Sequence, residues 1–312
     1  MAKQSRIAGF IGFLSFLCLF ATAFADDMST VVVPDYLDNM ISGPTTQAST
    51  EPLFQLTYNK RTISEFIGHF SGYDPIYFVA GPVNPLAKFQ FSFKYQIFNT
   101  TSQFGQDQLL ANKYPLLAGL HFSYSQLSTW QLNVSGAPFY DNNYRPEFFY
   151  SNEDIKAIHL PGVAELGLQT GIGHESNGLG GSTSERAINF LFLRPILDFG
   201  DPEKFHFYIA PKAYVYIFGV PDNPDISHYR GYCDLRSVIG WRQGLELSFL
   251  GRIGSDYNRG SIQLDLTYPI RDLLRNNVDL YLDAQYFNGY GETLRVYNQR
   301  TQAFRIGFAL VR

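Results

Sequence analysis

Cysteine is nearly missing from the chain. Of 312 residues only Cys18 and Cys233 are cysteines, and Cys18 lies in an N-terminal apolar run. No framework of internal disulfides can staple the fold, so core packing and hydrogen bonding must hold it. Charge is scarce as well, at 17% of residues against about 25% in ordinary soluble domains. The net charge of −4 leaves no basic excess for a nucleic-acid partner. After Ala25 no apolar run is long enough to cross a bilayer as a helix. That excludes helical spans only, because a barrel strand needs alternation instead of a continuous apolar stretch.

The N-terminus points to export. Lys3 and Arg6 precede IAGFIGFLSFLCLFATAF, and small residues stand at Ala23 and Ala25 before Asp26-Asp27. A basic start, an apolar middle and a small-residue cleavage site predict a secretory signal peptide over 1–25. The mature chain then keeps one cysteine, Cys233. Residues 26–73 are weakly patterned and read as an N-terminal extension, with a short helix predicted near 63–70. Residues 74–312 carry the main domain.

That domain is rich in aromatics, with 28 Phe and 21 Tyr. In KFQFSFKYQI, Phe89, Phe91, Phe93, Tyr95 and Ile97 share one face, and Lys88, Gln90, Ser92, Lys94 and Gln96 share the other. SIQLDLTYPI, NVDLYLDAQY and the final strand around Phe304, Ile306, Phe308 and Leu310 repeat the pattern. Alternation over about ten residues fits a soluble β sandwich or a transmembrane barrel. Charges recur on the polar face, as in a lumen, and aromatics at Tyr268-Pro269 and Tyr286-Phe287 suit an interfacial girdle. The reading is an all-β, antiparallel transmembrane β-barrel. A non-catalytic porin-like barrel and a soluble lipid-binding barrel are the competing functional readings.

His-x-Ser occurs three times, at His69/Ser71, His121/Ser123 and His174/Ser176. Parity separates the copies. His174 and Ser176 continue the face of Leu166, Leu168 and Ile172, which in a barrel meets lipid and gives a polar pair no structural purpose. His121 and Ser123 alternate against Leu120, Phe122 and Tyr124 and so point to the polar side. Residues two apart on a strand lie about 6.5 Å apart, close enough for an imidazole to reach a hydroxyl. Asn189 shares its face with Leu191 and Leu193, and an antiparallel neighbour would carry its amide oxygen to His174. An asparagine can orient an imidazole in place of aspartate.

These residues sit in blocks that resemble one family. HESNG (174–178), TSERAIN ending at Asn189, DNPDISHYRGY (222–232), SYSQLSTWQL (123–132), NYRPEFF (143–149) and GYGETL (289–294) are similar to the outer membrane phospholipase A family of Gram-negative bacteria. The resemblance implies a twelve-stranded outer-membrane barrel that hydrolyses membrane phospholipids with calcium and is active as a homodimer. Cleavage at sn-1 is implied, with sn-2 esters and lysophospholipids as further substrates. Ser176 resembles the nucleophile, His174 the general base, Asn189 its orienting partner and Gly178 the backbone donor to the oxyanion. The calcium ligands fall on Leu179, Ser184 and Asp222, with Ser135 of the partner subunit as the fourth. Leu179 stands where the family has an arginine, which a carbonyl ligand tolerates. Gln126 resembles a dimer-contact glutamine.

Overall fold

The computed structural model describes residues 67–98, 113–153, 155, 160–181, 184–201, 204–270 and 280–312. The predicted signal peptide, nearly all of the extension, half of the predicted 63–70 helix (63–66) and residues 277–279 lie outside them. The described residues belong to the compact unit Asn59–Arg312.

The described residues form thirteen strands in order: β1 Phe70–Ser71, β2 Ile76–Ala80, β3 Ala87–Gln96, β4 Leu120–Trp130, β5 Phe139–Asn152, β6 Val163–Ser176, β7 Ala187–Gly200, β8 Phe205–Ile217, β9 Cys233–Trp241, β10 Glu246–Ile253, β11 Gly260–Pro269, β12 Tyr281–Gly289 and β13 Thr301–Val311. A one-turn helix, α1 (Ser227–Arg230), stands before β9. From β2 onward each strand pairs antiparallel with the next, and β13 returns to β2, so twelve strands close a barrel. Closure leaves the twelve barrel strands no free edge, which is what allows strands to lie in lipid.

Period-two patterning becomes inside and outside as the sequence predicts. Outside, Phe91, Ile172, Leu191, Leu266, Leu282 and Phe308 are exposed. Inside, Lys88, Ser92, Gln169, Arg194, Asp283, Gln285 and Arg305 are buried. Phe205, Trp241 and Tyr268 stand exposed at one rim, where a girdle belongs. One girdle residue reads differently. Phe287 points inward, 3% exposed, with the Lys88 ammonium 5.4 Å from its ring centre.

The first strand is broken. β1 pairs Phe70 with Tyr95, while β2 pairs Tyr77 with Gln90, so the chain between them has residues to spare. That surplus turns into the lumen. Tyr73 donates to Glu147 (2.6 Å), and Asp74 meets Arg145 and Arg236. Lys212 bonds Glu147 at 2.5 Å, and Lys88 reaches Gln263 at 2.8 Å from a non-adjacent strand. Burial alone would raise the pKa of Glu292, in the β12–β13 loop, but Lys88 and Arg305 outweigh it and hold the carboxyl below its ordinary value. Ion pairs therefore cross the lumen and leave a cavity of about 130 Å³. Such a filled interior suits a rigid scaffold and gives no support to a permeation role.

One wall departs from the polar-lumen rule. The inner face of β7 carries Ile188, Phe190 and Phe192, packed with Phe149, Tyr214, Ile226, Leu294 and Tyr297. Ile226 comes from the β8–β9 loop, and Leu294 and Tyr297 from the β12–β13 loop. Two loops thus fold over the lumen and give this wall an apolar core, which explains why the sequence of β7 is apolar on both faces.

Candidate active site

The hairpin β6–β7 carries the polar residues that parity sends outward. His174 and Asn189 are direct cross-strand partners, and the imidazole Nδ1 lies 2.8 Å from Asn189 Oδ1. A carbonyl oxygen only accepts, so Nδ1 carries the proton and Nε2 keeps its lone pair. Ser176 follows two residues later on the same face, opposite Ala187 and Tyr144. All three side chains are half-buried, with exposed Ile172 and Leu191 beside them. Neither the Ser176 hydroxyl nor His174 Nε2 has another hydrogen bond among the described residues. An imidazole, the amide oxygen that accepts from it and a hydroxyl thus stand on one outward-facing surface.

The other two copies of His-x-Ser are elsewhere. His121 and Ser123 point inward and are buried, with His121 Nδ1 2.9 Å from Gly119 O and its ring stacked on Phe149. His69 is also buried, with Nδ1 2.5 Å from Gln96 O. Gly178 follows Ser176 with φ of +70°, a conformation that costs other residues strain. A Cβ placed there would lie 2.9 Å from the Tyr144 ring. Gly178→Ala is therefore expected to shift this turn with the barrel still formed. Limited proteolysis of the turn together with heat-shifted gel migration checks both halves.

Sequence reasoning missed the residue that shapes this turn. Asn177 is buried and donates from Nδ2 to Ser184 O at 2.8 Å. Its Oδ1 accepts from Leu179 N–H at 3.4 Å and from Arg186 N–H at 3.0 Å. One amide side chain thus gathers Leu179 and Ser184. Asn223, fully buried, accepts from Ala187 N–H at 3.1 Å and ties the loop holding Asp222 to the first residue of β7. The only signal for either was an asparagine inside the matching blocks. Leu179 and Ser184 are thus held by one side chain, and Asp222 neighbours Asn223, which is tied to the start of β7. Carbonyl, hydroxyl and carboxylate oxygens such as theirs are donor types that could hold calcium. Among the described residues no cluster of three His, Cys, Asp or Glu gathers as for a transition metal.

Ser135 stands exposed in the β4–β5 turn at the same end of the barrel. Gln126 lies on the outer face of β4, half-buried. Its Oε1 accepts from Tyr124 Oη at 3.0 Å and its Nε2 donates to Ser128 Oγ at 3.1 Å. Its amide is already partnered within the chain, with one donor and one acceptor position left over.

The family model for phospholipase A1 matches residues 82–310, nearly the whole barrel. The chain belongs to the phospholipase A1 family. Phospholipase A1 of Escherichia coli K12 is 29% identical over 254 residues, covering 73% of this chain and 82% of that protein. The solved outer membrane phospholipase A from Escherichia coli superposes with a TM-score of 0.63 at 25% identity, over 77% of this chain and 98% of that one. The outer membrane phospholipase of Salmonella typhi, a dimer with bound calcium, superposes at 0.62 with 24% identity, over 77% and 91%. This phospholipase A1 family member is a twelve-stranded outer-membrane barrel.

Proposed function

We propose that the chain is a calcium-dependent phospholipase that cleaves acyl esters at Ser176, with His174 as general base and Asn189 as the group that orients it. The observation that carries this reading is the His174–Asn189 hydrogen bond on the lipid-facing surface, two residues from a serine. Lipid reaches such a site sideways, so no tunnel is needed. His174 Nε2 takes the hydroxyl proton as Ser176 Oγ bonds to the ester carbonyl carbon. The ester C–O bond then breaks, and the lysophospholipid leaves with the proton from His174. Water, deprotonated by the same nitrogen, bonds to the acyl carbon; the bond to Ser176 Oγ then breaks, the fatty acid leaves and Oγ takes the proton back from His174. The Gly178 N–H would donate to the developing oxyanion.

Leu179 O, Ser184 and Asp222 would hold calcium, with Ser135 of a second subunit completing the set. When bound, calcium supplies positive charge beside the oxyanion. The exposed position of Ser135 supports this sharing, and the hydrogen bonds of Asn177 and Asn223 fix the loops that carry the other three. The sn-1 ester is the primary substrate, with sn-2 esters and lysophospholipids as further ones.

Fatty-acid release from phospholipid–detergent micelles, with and without chelator, tests the reading. Release that stops with chelator and returns with calcium is the expected result. Release that ignores chelator would remove calcium from it. Asn189→Ala separates orientation from identity, because the base survives without its guide. A positioned general base contributes roughly 10²–10⁴-fold, so a loss of part of that factor is expected. Turnover equal to wild type would sink the orienting role.

A further inference from the structure

The residue between base and nucleophile points the other way. Glu175 faces the lumen, 7% exposed, and the Arg230 guanidinium (5% exposed) grips it. Arg230 Nη1 lies 3.1 Å from both carboxylate oxygens, and Nη2 lies 3.1 Å from Oε2. Arg230 is the last residue of α1, in the β8–β9 loop that also carries Asp222. The same loop holds Asn223, whose Oδ1 accepts from Ala187, the cross-strand partner of Ser176. Its far end is fixed too: Tyr214 Oη donates to Arg230 O at 3.2 Å and Tyr216 Oη to Gly231 O at 3.1 Å. Ile226 is fully buried in the cluster behind β7.

We infer that Glu175 and Arg230 are a positioning pair, linking the strand end that holds His174 and Ser176 to the loop that holds Asp222. Adjacent strand residues point to opposite faces, so a side chain fixed on the inner face sets the backbone from which both outer side chains project. A bidentate carboxylate–guanidinium pair fixes angle as well as distance. Rotation or lift of the β8–β9 loop would therefore tilt the Ser176 backbone, and a moved strand end would displace Asp222. The inference rests on the proposed roles of Ser176 and Asp222.

Removing one partner leaves the other charge buried and unpaired, so single variants test folding more than position. The decisive protein is the double variant Glu175→Gln/Arg230→Met, which removes both charges and keeps the volume. Glu246→Gln/Arg312→Met is its control, since that pair is also buried but lies at the opposite rim, with Nε 2.9 Å from Oε2. Full-length protein refolded in detergent would be followed by three readouts. These are kcat and KM on micelles, the rate of acylation by a lipophilic fluorophosphonate, and calcium affinity by titration calorimetry.

The double variant is expected to fold, to lose roughly 10–100-fold in kcat and in acylation rate, and to bind calcium more weakly. KM should be unchanged, and the control should match wild type in every readout. Wild-type kcat and calcium affinity in a folded double variant would overturn the inference, as would equal losses in the control. An active Ser176→Ala protein would instead refute the nucleophile itself, so the two failures are distinguishable.

Discussion

Ser176→Ala is expected to leave a folded barrel that turns over no phospholipid. The hydroxyl is half-buried and has no hydrogen bond among the described residues, so its removal orphans no partner and opens no core cavity. Stability should change by no more than about 0.5 kcal/mol. Turnover should fall by on the order of 10⁴–10⁶, the scale of losing a nucleophile that works as a unit with its base. Ser123→Ala is the matched control. Ser123 is fully buried in the lumen and its Oγ is unsatisfied, so the alanine should fold and work like wild type. Heat-shifted gel migration reports the barrel, and fatty-acid release reports the chemistry. Equal activity of Ser176→Ala and wild type would end the serine mechanism.

Asp222→Asn is expected to weaken calcium binding by roughly 10–100-fold and to loosen the calcium-bound dimer by the same factor. Asp222 is the only formal charge in the proposed donor set, so its loss removes most of the electrostatic attraction while the shape of the turn stays. The second half follows from linkage. If each site borrows an oxygen from Ser135 of the partner subunit, calcium prefers the dimer, and calcium must then favour dimerisation equally. Gln126 would add a bias of its own. With one donor and one acceptor left after its bonds to Tyr124 and Ser128, it can still meet its symmetry mate. A hydrogen bond between membrane segments is worth about 0.6–2 kcal/mol, enough to favour assembly without locking it. Cross-linking in detergent at graded calcium measures the dimer fraction. Activity that needs calcium beside a dimer fraction that ignores it would place the whole site within one subunit.

Much of this was legible because barrels obey a simple parity. Alternation assigned Lys88 and Asp283 inward and Leu191 and Phe308 outward, and it set His174, Ser176 and Asn189 on one surface. Their register followed from the closeness of β6 and β7 in the chain. Parity fails where an inward residue meets something other than water. Ile188, Phe190 and Phe192 face the lumen because distant loops supply Ile226, Leu294 and Tyr297 to cover them, and no local pattern announces that. Phe287 neighbours Tyr286, the place for a girdle residue, yet its position in β12 turns it toward Lys88.

The polar residues that shape the site were harder still to read. Asn177 and Asn223 act through backbone groups in loops, where no periodicity constrains them. The role of Glu175 depends on Arg230, 55 residues away, and only the folded β8–β9 loop brings the two together. The break after Ser71, which sends Tyr73 and Asp74 into the lumen, likewise depends on the register of two strands against one partner.

Labelling by a lipophilic fluorophosphonate, read by peptide mass spectrometry, tests the central claim most directly. A serine raised in nucleophilicity by an oriented imidazole should react alone among many serines. One adduct is expected, on the peptide that contains Ser176, absent in Ser176→Ala and strongly slowed in His174→Ala. An adduct on a different serine, or phospholipid turnover that continues with Ser176 unlabelled, would contradict it.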